Sequence, residues 1–248
     1  MSKHFELMQQ MEQKKAFGSA TTADPEFVPP RRPASGGSST RWANDEALRL
    51  VQQIFLVQSL EPPRIVVFAG IDHQSGCSQI CASVAETLAK NSRRPVCLVE
   101  ANFRSPALSE LFGTTNQRGL TDALLKEGPI TSFAEPVAQE NLWLISSGSL
   151  AVDSPSLLAS DNLKERLAEL REEFDFVIID APPLTQYSDA VAVAQLGSGI
   201  VLILEADTTR RESAAVVTAN LRSVNIPILA AVLNKRTFPI PENIYKRL

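Results

Sequence analysis

Cysteine, histidine and tyrosine are scarce in this chain: three, two and two residues in 248. The cysteines (Cys77, Cys81, Cys97) are odd in number, which excludes a secreted disulfide framework and points to three thiols in a reducing cytosol. With only His4 and His73 beside them, a zinc site would have to use His73, Cys77 and Cys81 and has no obvious fourth ligand, so these are read first as buried or loop residues. No apolar run approaches the ~18 residues of a membrane-spanning helix, and the polar stretch from Met1 to Lys15 does not read as a signal peptide; any membrane role is expected to come through a partner. Neither charge dominates either. Lys and Arg number 24 against 28 Asp and Glu, a net charge of −4, which excludes the coating of nucleic acid by bulk charge.

What is present is ordinary globular material: 44% hydrophobic residues, in a length that suits one large α/β domain with a tail, or two small domains. Residues 1–43 read as a flexible, disordered N-terminal tail. Pro25, Pro29, Pro30 and Pro33, followed by Ser35-Gly36-Gly37-Ser38-Ser39, cannot bury enough apolar area to offset the entropy of ordering. Within the tail, Phe5, Leu7, Met8 and Met11 have the spacing of a short amphipathic helix, either a docking peptide or a frayed end. Structure is expected from Asn44, where a helix with Leu48, Val51, Ile54 and Phe55 on one face runs toward Pro62-Pro63.

From there, short β-branched runs alternate with helix-period stretches. The runs are Ile65 to Ala69, Val96 to Val99, Leu142 to Ile145, Phe176 to Ile179, Ile200 to Leu204 and Ile228 to Leu233. The helical stretches carry Ile80, Val84 and Leu88, then Leu163, Leu167 and Leu170, then Ala215, Val216 and Ala219. Strands apolar on both faces and separated by helices define a mostly parallel sheet covered on both sides. Residues 44–237 are therefore expected to form a three-layer, doubly wound α/β domain, with a C-terminal tail over 238–248 and ligands beyond the carboxyl ends of the strands.

The first run leads into Gly70-Ile71-Asp72-His73-Gln74-Ser75-Gly76-Cys77-Ser78 and a helix starting near Gln79. Glycines that allow close backbone approach, followed by a helix N-terminus aiming N–H groups at an anion, make a phosphate-binding loop of the P-loop NTPase kind. A Walker A loop ends Gly-Lys-Ser/Thr; here Cys77 replaces the lysine, and Gly70 and Gly76 are one residue too far apart. Taken alone, a strand-to-helix turn with incidental glycines explains the loop as well. The other strand ends add weight. The second run ends Glu100-Ala101-Asn102-Phe103-Arg104 and the fourth Asp180-Ala181-Pro182-Pro183. An acidic group at the tip of a buried strand is costly unless used or paired, and Asp180 has the place of a Walker B carboxylate reaching Mg²⁺ directly or through water. Glu100 reads as a similar group or as a loop cap. Asn234, after the sixth run, suits an adenine edge or an ordinary turn.

The ordered set of motifs resembles the cytoplasmic domain of bacterial tyrosine kinases (BY-kinases, CpsD/CapB-like) of capsule and exopolysaccharide assembly. It comprises Glu46-Ala47-Leu48-Arg49, Gly76-x-Ser78, Glu100 to Pro106, Gly119-Leu120-Thr121-Asp122, Pro155 to Ser160, Phe174 to Pro183, Asp189 and Val232-Leu233-Asn234-Lys235, and so covers roughly residues 44 to 236. The resemblance implies ATP or ADP with Mg²⁺ as cofactor, held by Gly70, Ser75, Gly76, Cys77, Ser78 and Gln79, with Ser78 and Asp180 at the metal. Asp180, Glu100 and Asn102 take the catalytic positions. It also implies activation by a membrane chain-length (polysaccharide co-polymerase) protein, a ring built through Glu46 and Arg49, and a terminal tyrosine acceptor, here Tyr245 alone.

The departures fall on the chemistry. Cys77 stands for the P-loop lysine, Glu100 and Asn102 for an Asp-x-Asp pair, and Gln52 for the last arginine of the family's E-x-x-R-x-x-R helix. Cysteine supplies no cation and Asn102 cannot act as a carboxylate base, so phosphoryl transfer is expected to be slow or absent and nucleotide binding weak. Arg104 is the candidate stand-in cation. Cys77 itself reads as a small space-filler, or as a low-pKa thiol at a helix N-terminus. The leading expectation is a degenerate, pseudokinase-like regulatory or scaffold component, peripheral at the inner membrane through the chain-length protein and pairing with a second copy or an active homologue. An active tyrosine autokinase is the alternative. A partition-type ATPase ranks lower, since Asp72 stands where those relatives carry a second lysine.

Overall fold

The computed structural model describes residues 39–56, 62–115, 117–138, 140–149 and 154–236. The amphipathic stretch near Phe5, most of the N-terminal tail, and Tyr245 with the C-terminal tail lie outside the described residues.

Helix α1 (Ser39–Ile54) starts earlier than Asn44. Ser39 and Thr40 are start residues of the same kind, and no Gly or Pro follows them, so the Pro/Gly/Ser argument for a tail stops short of residue 43. The helix buries Ala47, Val51 and Ile54, and Phe55 just beyond it meets the Phe176 ring edge-on at 5.6 Å.

All six expected strands form. They are β1 (Ile65–Gly70), β2 (Val96–Glu100), β4 (Leu142–Ile145), β5 (Phe176–Ala181), β6 (Gly199–Glu205) and β7 (Ile228–Asn234). A two-residue strand, β3 (Glu135–Pro136), is added at the edge and carries the only antiparallel pairing among the described strands. The order is β3-β4-β2-β5-β1-β6-β7. β1, β2 and β5 are buried on both faces, and their side chains alternate between two cores: Ile65, Val67 and Ala69 point into one, Val66 and Phe68 into the other.

Helix α2 (Cys77–Ser92) buries Val84 and Leu88 on one core, and α6 (Asp161–Glu173) buries Leu163, Leu167 and Leu170 on the other. Two expectations are corrected. Helix α8 (Arg211–Ser223) buries Val217 and Leu221, while Val216 is 59% exposed with Ala215 and Ala219 beside it, because the small apolar residues lie a step off the true core face. β7 is an edge strand rather than one buried on both sides, and Leu233 is 57% exposed. Short elements complete the chain: α3 (Leu108–Phe112), α4 (Leu120–Leu125), a 3-10 turn (Ile130–Phe133), α5 (Ser154–Leu157) and α7 (Asp189–Ala194).

This topology builds the site. β5 lies between β1 and β2, with Asp180 level with Phe68 on one side and Glu100 on the other. The loop after β1 and both acidic residues therefore emerge at one edge of the sheet.

Candidate functional site

The loop from Gly70 to Ser78 is held by protein on several sides. Asn234 donates its side-chain amide to the Ser75 carbonyl at 2.8 Å, and the Lys235 ammonium donates to the Gln74 carbonyl at 2.6 Å while pairing with Glu205 at 3.2 Å. Thr185 donates its hydroxyl to the Ile71 carbonyl at 2.8 Å, and the Leu184 amide donates to the Gly70 carbonyl at 2.9 Å. Gly76 has φ +83°, and a Cβ there would run into the Asn234 amide, so the loop needs glycine at this position twice over. Asn234 thus serves the loop backbone, which is a different task from reading a base edge. Lys235 stands in the motif set only as part of Val232 to Lys235; its hold on the loop backbone was not read from the sequence.

Cys77 opens α2, its side chain half-buried where a P-loop lysine would start. Its Sγ lies 4.0 Å from Cys81 Sγ, and Cys81 Sγ lies 3.7 Å from Asp180 Oδ1. The Cys81 contact lowers the Cys77 pKa, but burial and the Asp180 charge outweigh it and push the thiol up to about 11. The low-pKa reading of Cys77 is therefore corrected: a neighbouring carboxylate and a dry site override the helix terminus. Cys81 is fully buried, as a core residue should be, yet it faces the acidic group rather than only apolar neighbours.

Asp180 is fully buried, and its Oδ2 has no hydrogen-bond partner. Burial drives its carboxyl up to about 6, the Glu100 charge adds to the rise, and donors on Ser78, Cys77 and Cys81 pull the other way. The Ser78 hydroxyl stands beside it, and Gln79 is exposed on the first turn of α2. Glu100 is also fully buried, but both of its oxygens are engaged. Oε1 accepts from the Ala107 and Leu108 amides at 2.5 and 2.6 Å, and Oε2 accepts from the Ser147 amide at 3.0 Å. It acts as a cap that ties α3 and the loop after β4 to the end of β2. Asn102 is half-buried, with its Oδ1 unpartnered.

Arg104 does not reach the loop. It pairs with Asp189 at 3.2 Å and stacks over the Tyr187 ring at 3.9 Å. His73 is exposed and outside the cysteine cluster, a loop residue as read from the sequence; the two cysteines group instead with Asp180, and these ligand atoms lie within 4.8 Å of one another. Glu46 and Arg49 are exposed on α1 and pair with each other at 3.1 Å.

The residues fit a magnesium nucleotide in part. Ser78 and the unpartnered Asp180 oxygen are hard donors suited to Mg²⁺. The cation that should face the terminal phosphate is a thiol, and both Arg104 and Lys235 are paired elsewhere.

A mostly parallel sheet with a glycine-bearing loop running into a helix, and an acidic residue at the tip of the neighbouring strand, define a P-loop NTPase-like domain. No family model matches the chain. It is 28% identical over 181 residues to the tyrosine-protein kinase YwqD of Bacillus subtilis, covering 68% of this chain and 76% of that one. It is 26% identical over 175 residues to the succinoglycan biosynthesis transport protein ExoP of Rhizobium meliloti, covering 69% of this chain but only 22% of that protein's length. The kinase domain of the Escherichia coli tyrosine kinase ETK superposes with a TM-score of 0.77 at 20% identity, covering 89% of this chain and 88% of that one. Most of these relatives are bacterial tyrosine kinases, in agreement with the resemblance read from the motifs, and the solved kinase domains share the fold. Among the described residues, no helix is long and apolar enough to cross a membrane.

Proposed function

We propose that this chain is a degenerate member of the bacterial tyrosine kinases of exopolysaccharide or capsule assembly, acting by binding rather than by phosphoryl transfer. It docks on a membrane chain-length protein or on an active kinase homologue, which places it at the inner membrane on the cytoplasmic side. Nucleotide binding is weak and transfer slow or absent. The observation that carries the reading is Cys77: at the lysine position the chain presents a neutral thiol turned toward Cys81 and Asp180. Phosphoryl transfer relies on fixed positive charge against the developing negative charge, and a thiol supplies none.

Calorimetry with Mg-ATP and Mg-ADP on the purified chain and on Cys77→Lys tests it. A lost charge-assisted hydrogen bond is worth ~1.5–3 kcal/mol, so the lysine variant should bind about tenfold to a hundredfold more tightly. Radiolabelled phosphate transfer, with Asp180→Asn as control, should stay at background for the native chain. Micromolar binding together with transfer onto Tyr245 or a partner at the rate of intact kinases would sink the reading and favour the active autokinase. The unpartnered Asp180 oxygen is the observation that keeps that second reading in view.

A further inference from the structure

We infer that Cys77, Cys81 and Asp180 form a binding site for a thiophilic divalent cation of the zinc class. The inference does not rest on nucleotide binding. Three ligand atoms from two elements converge: two sulfurs on successive turns of α2 and a carboxylate oxygen at the tip of β5, all within 4.8 Å of one another. With metal–ligand distances of about 2.0–2.3 Å, sulfurs 4.0 Å apart subtend about 120° at a shared ion, and a sulfur and an oxygen 3.7 Å apart subtend nearly the same angle. Cys77 Sγ and the Asp180 oxygen lie within 4.8 Å, and a shared ion needs them within about 4.3 Å, so side-chain movement of up to about 0.5 Å brings all three onto one ion. A fourth position is left for water or another donor.

A second observation points the same way. Asp180 is fully buried, its Oδ1 lies 3.7 Å from the Cys81 thiol, and its Oδ2 has no hydrogen-bond partner, so the carboxylate has an oxygen to spare for an ion beside the thiols. Soft sulfur donors select zinc-like ions and reject Mg²⁺, so the cluster differs in kind from a magnesium site built on Ser78 and Asp180. Binding displaces both thiol protons to solvent. Two thiolates and a carboxylate around a doubly charged cation leave one net negative charge, so a loaded site opposes a polyphosphate in the same loop.

The test uses the whole 248-residue chain without a tag, reduced and stripped of metal. Zn²⁺ is titrated in competition with a chromophoric chelator, and Co²⁺ serves as the spectroscopic probe. One Zn²⁺ per chain is expected, not displaced by excess Mg²⁺. The Co²⁺ form should show sulfur-to-metal charge-transfer bands together with the visible bands of a four-coordinate ion. Cys77→Ser and Cys81→Ser should each weaken binding by about a hundredfold, Asp180→Asn by about tenfold or more, and Cys97→Ala not at all. Far-ultraviolet circular dichroism checks that each variant folds, and the Co²⁺ spectrum of the native chain needs no variant. Binding of less than one equivalent, a Co²⁺ spectrum without thiolate bands, or unchanged affinity in a folded Cys77→Ser/Cys81→Ser double variant would overturn the assignment.

Discussion

At Asp180 a fully buried carboxyl is held with one oxygen unpartnered, an arrangement that costs stability and persists only where something else compensates. Its folded pKa of about 6 lies above the ~3.9 of an unfolded aspartate, so the folded state holds the proton more tightly. The stabilisation is complete below about pH 4 and is lost as pH rises through about 6, a loss on the order of 3 kcal/mol. Asparagine stays neutral throughout and does not lose it. In chelator-treated buffer, Asp180→Asn should therefore unfold at higher urea concentration than the native chain at pH 8, with the gap shrinking toward pH 4. Urea midpoints at the two pH values check this, and a gap independent of pH would rule out the carboxyl as its source. Asp180 was legible in the sequence because an acid directly after Val177-Ile178-Ile179 has few structural uses. The convergence of Cys81 on it was not, since Cys81 shares a helix face with Val84 and Leu88 and only the placement of β5 brings the carboxylate to that face.

Among the elements, the long strands and helices could be read from pattern because burial on both sheet faces or on one helix face imposes a period. Helices of four to six residues, such as α3, α4, α5 and α7, complete too few turns to show one. Side-chain contacts across the chain tie α3, α4 and α7 in place instead. Asp122 in α4 is the clearest case: Oδ2 accepts from the Gly119 and Ser149 amides at 3.2 Å each, and Oδ1 accepts from Lys126 at 2.7 Å. Burial works against its charge, but Lys126 and the two amides prevail and hold the pKa below the usual carboxylate value. A lowered pKa contributes stability that is present above the unfolded value and lost as pH falls through the folded one. Asp122→Ala should then cost about 2–3 kcal/mol at pH 7, from the unpaired buried amides and the lost charge. The difference from the native chain should narrow as the pH falls below about 4. Chemical denaturation at both pH values measures it, and a cost equal at both would mean that only packing was lost. Glu100 ties elements together in a similar way at the end of β2: its acidity was visible in the sequence, but the three amides it caps come from the start of α3 and the loop after β4, which no local pattern reveals.

For the molecule as a whole, the open question is assembly, and α1 carries it. The resemblance to ring-forming kinases rests on Glu46 and Arg49, and the next position of that stripe is Gln52 rather than a second arginine. Glu46 and Arg49 are 65% and 72% exposed and, among the described residues, pair with each other, one turn apart on the same helix. Such a pair is worth ~0–1 kcal/mol, so it neither holds the helix nor prevents the two side chains from engaging a second copy. An interface that draws on charge pairs across copies loses one charge-assisted contact per junction without the second arginine, and a closed ring repeats that loss at every junction. The purified chain should consequently sediment with the mass of a single chain at micromolar concentration. Gln52→Arg should shift it toward larger species in low salt, and the shift should fade as salt screens the restored contact. Sedimentation velocity at two salt concentrations decides the matter. A native chain already assembled into closed rings would show that apolar contacts on α1, rather than the charged stripe, join the copies.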